Sequence, residues 1–214
     1  MGIFIKNQDS SKTDIMTAEG VHSIVHELIK DSKYILDVGC GTGVFSVQAQ
    51  KDGHQVEACG LEDCKFSNVI PFKKVDFNTQ PLPYMSDTFD GCIAIEIAEH
   101  LFDTHTFIQE LHRVVKKGGV VVLTTPNLQN WYQRLYFLFT GCFLGFYPYE
   151  VKPKDPENNH ISPILLQIYK SFIEKYFIIE KITTNRSFIP LVRIKLPFTN
   201  MFFSDTLILK LRKK

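Results

Sequence analysis

The sequence predicts an α/β domain built on a doubly wound, mostly parallel sheet, with helices on both faces and an insertion after strand five. Three observations predict it. Short apolar runs alternate with amphipathic helical stretches between residues 17 and 125. The run 119–125 is almost uninterrupted in its apolar character, as a strand covered on both faces requires. Residues 34–38 open directly into Gly39, Gly41 and Gly43, a strand-to-helix turn rich in the residue that tolerates a left-handed backbone.

The elements follow in order. Residues 17–30 carry Val21, Ile24, Val25, Leu28 and Ile29 at helical spacing, an amphipathic N-terminal helix. Strand one covers 34–38 and its helix 43–51. Residues 55–60 read as strand two, 72–75 as strand three and 90–95 as strand four. A helix over 104–116 stops at Lys116-Lys117-Gly118-Gly119, with cations at its C-terminal end and glycine as terminator. Strand five, 119–125, ends before Pro126, and there the alternation breaks. Residues 128–160 form a long insertion, followed by a helix over 163–175 and strands over 177–184 and 205–211. One domain over 1–214 accounts for the length.

Composition removes several classes of function. Charged residues are 22% and hydrophobic ones 44%, ordinary for a globular chain. The net charge of +1 supplies no global pull toward nucleic acid or an anionic surface. Five cysteines (Cys40, Cys59, Cys64, Cys92 and Cys142) form no CxxC pair, and their odd number speaks for free thiols in a reducing compartment. Residues 1–12 lack the apolar stretch of a signal peptide, so a cytoplasmic protein is expected.

A glycine-rich turn between strand and helix lets backbone touch a ligand, which marks residues 39–43 as a nucleotide-type site. A phosphate loop ends in Gly-Lys-Ser/Thr, and none follows. The dinucleotide fingerprint sets its third glycine three residues after its second, whereas Gly41 to Gly43 is two. Asp37 would repel pyrophosphate but suits hydrogen-bond donors or a cation. The residues point to a nucleoside with a positive or zwitterionic appendage and no phosphate.

Ile35 to Gly43 resembles the first motif of the Rossmann-like S-adenosylmethionine (SAM) methyltransferases, hydrophobic-Leu-Asp-hydrophobic-Gly-x-Gly-x-Gly. Gln80-Pro81-Leu82-Pro83, then Asp87-Thr88-Phe89-Asp90, is similar to the signature between strands three and four of the small-molecule members. The nearest group is the ubiquinone-biosynthesis-like small-molecule and sugar methyltransferases. The resemblance implies a seven-stranded sheet closed by an antiparallel pair, with SAM as cofactor and S-adenosylhomocysteine as product. It sets Asp37, Gly39, Cys40, Gly41 and Gly43 against the cofactor. Glu62 (or its neighbour Asp63) would hold the ribose hydroxyls, and Asp76 the adenine amino group, with Phe77 beside the ring. Asp76 also reads as a turn or cap residue. Glu96 would end strand four against the methionine portion, while Phe89 and Asp90 read as structural.

Glu96-Ile97-Ala98-Glu99-His100 puts two carboxylates and an imidazole at i, i+3 and i+4, one face of a helical turn. Such a set is a divalent-cation site or a surface charge cluster. With the distant His160 it resembles the metal site of the RNA 3′-terminal ribose 2′-O-methyltransferases, and also recurs in the ubiquinone-biosynthesis-like group. Three readings stand: Mg or Mn held by Glu96, Glu99, His100 and His160; a metal-free base at His100 or His160, with Glu99 beside it; or a structural role.

The stretch 135–149 is uncharged until Tyr149 and dense in aromatics, too short and too broken by Gly141, Gly145 and Pro148 to span a bilayer. It reads as a lid, as an acceptor wall, or as a surface for membrane or partner. The leading expectation is O-methylation of a hydroxyl on a small molecule or glycan, with a vicinal diol favoured. Rivals are a catechol or quinone precursor, an RNA 3′ end, and a non-catalytic SAM-binding subunit. Near-neutral charge argues against RNA.

Overall fold

The computed structural model describes residues 20–61, 64–65, 67–146, 160–189, 194–196 and 199–214. It contains α1 (Val21–Ile29), β1 (Tyr34–Val38), α2 (Val44–Lys51), β2 (Gln55–Gly60), β3 (Phe72–Lys74) and β4 (Phe89–Ala94). A 3-10 turn (Ala98–His100), α3 (Thr104–Val114), β5 (Val115–Pro126), α4 (Trp131–Thr140) and α5 (Leu166–Tyr176) follow. The C-terminal part adds β6 (Phe177–Thr184), β7 (Phe188–Ile189), β8 (Ile194–Lys195) and β9 (Thr206–Lys213).

Seven strands lie in the order β3-β2-β1-β4-β5-β9-β6. The first five run parallel, and β9 is antiparallel to both β5 and β6. This is the doubly wound sheet with an antiparallel closing pair that the sequence predicts. Side chains alternate across β1: Leu36 and Val38 join the layer under α3 and α5, while Ile35 joins the layer under α1 and α2. Val121 and Leu123 of β5 face the first layer, and Val120 and Val122 the second. That two-sided cover explains the unbroken apolar run. Ile35, Leu36, Phe89 and Ile93 are fully buried, each contributing about 1.5–3 kcal/mol of transfer free energy.

Several boundaries differ from expectation, for physical reasons. The Lys116–Gly119 segment does not terminate α3, which ends at Val114. Gly118, at φ 76°, instead forms an irregularity inside β5, where the register against β4 shifts between Phe89 and Gly91. Strand four stops at Ala94, before Glu96. The first part of the insertion is helical: Asn130 caps α4 by accepting from the Gln133 N–H at 2.9 Å, and Gly141 ends it at φ 70°. The β7–β8 hairpin was not anticipated.

Strand order reverses between β1 and β4, so a crevice opens beyond their carboxyl ends.

Candidate active site

The first wall is backbone. β1 runs into Gly39 at φ 77°, and Gly43 stands at φ 85° where α2 begins. The Gly39 and Cys40 N–H groups both donate to Cys59 O, at 2.8 and 3.2 Å, which ties the turn to the end of β2. A Cβ on Gly39 would lie 2.9 Å from Ile97 Cγ1. Glycine is required there by close approach as well as by φ. The turn also closes on itself, the Gly43 N–H donating to Cys40 O at 2.8 Å.

Asp37 is buried on the α2 side, and its Oδ2 accepts from Ser46 Oγ at 2.6 Å. Burial pushes its pKa up to about 7 against that hydrogen bond. Cys40 is half-buried, and burial raises its thiol as well. Glu62 and its neighbour Asp63 lie outside the described residues. Asp76 follows β3 as expected, but its carboxylate closes a local turn, accepting from Asn78 N at 2.9 Å and Thr79 Oγ1 at 3.2 Å. Phe77 packs against Phe107, ring centroids 5.8 Å apart, at the edge of the core. Its ring therefore has a packing role in this structure.

The expectation that Glu96, Glu99 and His100 share a helical face is corrected. Glu96 sits at φ 52°, outside the 3-10 turn, so i, i+3, i+4 spacing does not carry over. Its N–H donates to Thr124 Oγ1 at 3.0 Å, and the same hydroxyl donates to Glu96 Oε1 at 3.1 Å. Burial pushes Glu96 up to about 7, opposed by Thr124 and aided by Asp205.

Glu99, His100 and His160 do converge. One ligand atom from each, a carboxylate oxygen and two ring nitrogens, lie within 4.8 Å of one another. That is slightly more open than the ~3–4 Å between donors around a bound divalent ion. Glu99 is fully buried, and neither carboxylate oxygen has a hydrogen-bond partner among the described residues. Burial first, and Glu96 second, hold its pKa well above the carboxylate range; the nearby Thr125 hydroxyl pulls the other way without completing a hydrogen bond. An uncompensated buried carboxylate is costly unless a proton or a cation meets it. His160 is pushed down to about 4 by burial and then by His100, so it is neutral at pH 7, the form that ligates or accepts a proton.

The insertion's return leg is held at this cluster. The Glu99 carbonyl accepts from the N–H groups of Ile161 (2.9 Å) and Ser162 (3.0 Å), and Ser162 Oγ donates to Leu101 O. His160 N donates to Gly145 O at 3.3 Å, and the His160 ring stands 4.9 Å from that of Phe146. Sequence reasoning missed Thr124 and Thr125. The paired threonines at the end of an apolar strand were a usable signal. Gly145 and Phe146 belong to the aromatic stretch 135–149 that the sequence singles out, and the return of the chain at residue 160 brings them to His160.

Comparison with known proteins bears on the family and the fold. Residues 16–165, more than half of the chain, match a family described as a methyltransferase domain. Over 126 residues (53% of this chain) it is 31% identical to the mitochondrial ubiquinone biosynthesis O-methyltransferase of Homo sapiens. Over 112 residues (47%) it is 35% identical to norajmaline N-methyltransferase of Rauvolfia serpentina. The chain spans only 34% and 38% of the lengths of these two curated relatives. A SAM-dependent methyltransferase structure from Archaeoglobus fulgidus superposes with a TM-score of 0.67 at 17% identity, covering 89% of this chain and 90% of that one. By its family match and its fold, the chain belongs to the class I, Rossmann-like SAM-dependent methyltransferases.

Proposed function

We propose that this chain transfers a methyl group to a hydroxyl of a small molecule or glycan, one of two neighbouring hydroxyls chelated by a divalent cation at Glu99, His100 and His160. The observation that carries the reading is Glu99: a fully buried carboxylate without a hydrogen-bond partner among the described residues, facing two histidines. SAM, when bound, supplies a methyl group already activated on a sulfonium. A cation at the cluster would supply the Lewis acidity that lowers the pKa of a chelated hydroxyl.

The chain's own residues do the rest. In this reading the Gly39–Gly43 turn and Asp37 orient the donor, and Glu96 stands near enough to Glu99 to help raise its pKa. Neutral His160 is available either as a ligand or, metal-free, as the base that takes the hydroxyl proton. Because methyl transfer is an in-line displacement, alignment across the crevice supplies much of the acceleration. A catechol-type acceptor is a second reading. It is favoured by the aromatic series Phe137, Phe143 and Phe146 that ends on His160, and by similarity to a ubiquinone biosynthesis O-methyltransferase.

The test is transfer from labelled SAM to panels of sugars, catechols, amines and short RNA, with Mn2+, Mg2+ or chelator. The expected outcome is turnover of adjacent hydroxyls, stimulated by cation and lost in Glu99→Gln. Turnover indifferent to chelator and to Glu99→Gln would remove the metal; turnover of amines alone would move the chemistry to nitrogen. SAM binding with no turnover of any acceptor would favour a non-catalytic subunit.

A further inference from the structure

We propose that the outward face of α4 docks on the surface of a lipid bilayer. Trp131, Arg134, Leu135, Leu138 and Phe139 recur at i, i+3, i+4, i+7 and i+8, and so share one face of this helix. That face is turned to solvent: Leu135 is 46% exposed, Leu138 72% and Phe139 82%. The polar side is inside instead. Gln133 is buried, its amide donating to Leu144 O at 3.2 Å and its carbonyl accepting from Leu144 N at 2.8 Å. A surface helix ordinarily buries its apolar stripe, and this one is inside out.

The chemistry of the patch selects the bilayer as occupant. Between Trp131 and Phe146 there is no carboxylate and a single cation, Arg134, at the edge of the apolar face. An anionic headgroup layer therefore meets no repulsion and one attractive charge. Trp131, Tyr132 and Tyr136 are half-buried on the same helix, with the Trp131 Nε1 turned into the protein, so the bilayer contact falls to the apolar side chains. At ten residues α4 is about 15 Å long. That is half of the ~30 Å hydrocarbon thickness, so it lies in the interface rather than across it. No helix among the described residues is long and apolar enough to cross a membrane. The patch also continues, through Phe137, Phe143 and Phe146, to His160 at the crevice.

Flotation with phosphatidylcholine vesicles, and with phosphatidylcholine and phosphatidylglycerol mixed three to one, reads binding without turnover and is independent of the methyl-transfer reading. The wild-type chain is expected to float with both, more with the anionic mixture. Leu138→Ser/Phe139→Ser should float at least tenfold less at an unchanged melting temperature, with the alanine pair used if the serine pair fails to fold. Met85→Ser replaces a side chain 81% exposed elsewhere and should float like wild type. Fluorescence of Trp131, the chain's one tryptophan, should shift to the blue on vesicle addition in the wild type and not in the double variant. Absence of wild-type flotation with either vesicle overturns the proposal, as does equal flotation of the double variant. A wild-type dimer that the double substitution dissolves, without vesicle binding, would assign the face to a second copy and overturn it too.

Discussion

The proposed donor wall draws Asp37, Gly39, Cys40, Gly41 and Gly43 from the single stretch 35–43, whereas the proposed reacting wall joins Glu99 and His100 to a histidine 60 positions further on. The first is made of backbone held by strand pairing: two amides on Cys59 O and a glycine pressed against Ile97. The second is made of side chains held by one returning segment through the Glu99 carbonyl. A local backbone site is specified by which residues permit a conformation. A side-chain site assembled from distant segments is specified by where the chain comes back.

The largest expected effect tests the donor wall. Gly39→Val adds a left-handed β-branched residue, at about 1–3 kcal/mol of strain, and a clash with Ile97 of similar size. Stability should fall by about 2–6 kcal/mol and SAM binding should disappear, read by thermal unfolding and calorimetric titration. Unchanged stability would break the claim that backbone geometry sets this wall.

Asp37 gives the next effect, through pH. Its folded pKa of about 7 lies above the ordinary 3.8, so the unfolded chain ionises first as pH rises. Its contribution to stability is full below about pH 4 and is lost as pH climbs to about 7, on the order of 4 kcal/mol. Glu96, raised from 4.5 to about 7, acts in the same direction. Urea midpoints of the ligand-free protein should fall between pH 4 and 7, and less steeply in Asp37→Asn. Equal slopes in the two proteins would show that burial of Asp37 is not the cause.

The reacting wall is sharpened by Glu99→Gln, which removes a buried titratable group whose ionisation the fold opposes. The ligand-free protein should become more stable near neutral pH by about 1–3 kcal/mol, while Mn2+ affinity drops more than tenfold. A variant that is less stable and binds Mn2+ as before would make Glu99 a structural acid. Asp76→Ala is the smallest case. Two hydrogen bonds to Asn78 and Thr79 at an exposed turn contribute about 0.5–1.5 kcal/mol, visible as a shift of a few degrees in melting temperature. A large loss of SAM affinity alongside that small shift would assign the carboxylate to the cofactor.

Legibility followed the same division. Apolar patterning gave six of the seven sheet strands to within about two residues at each end, because burial writes itself into the composition of a strand, as in 34–38. Strand five was misplaced at its start because glycine reads as a terminator, whereas Gly118 and Gly119 are absorbed inside the strand. Spacing rules misjudged Glu96, since they assume a helix and the chain makes a left-handed step there. Phe77 packs on Phe107, a contact that no local pattern announces.

What the sequence determined by itself is the doubly wound sheet, the glycine turn at its switch point and the chemical character of the residues around it. These depend on periodicity and on backbone freedom, both local properties. Tertiary structure alone decided that Glu99 is sealed without a hydrogen-bond partner among the described residues, that Glu96 stays outside the set formed by Glu99, His100 and His160, and that α4 turns its apolar face outward. Each of these depends on burial and on the return path of a distant segment, and burial is a property of the folded whole.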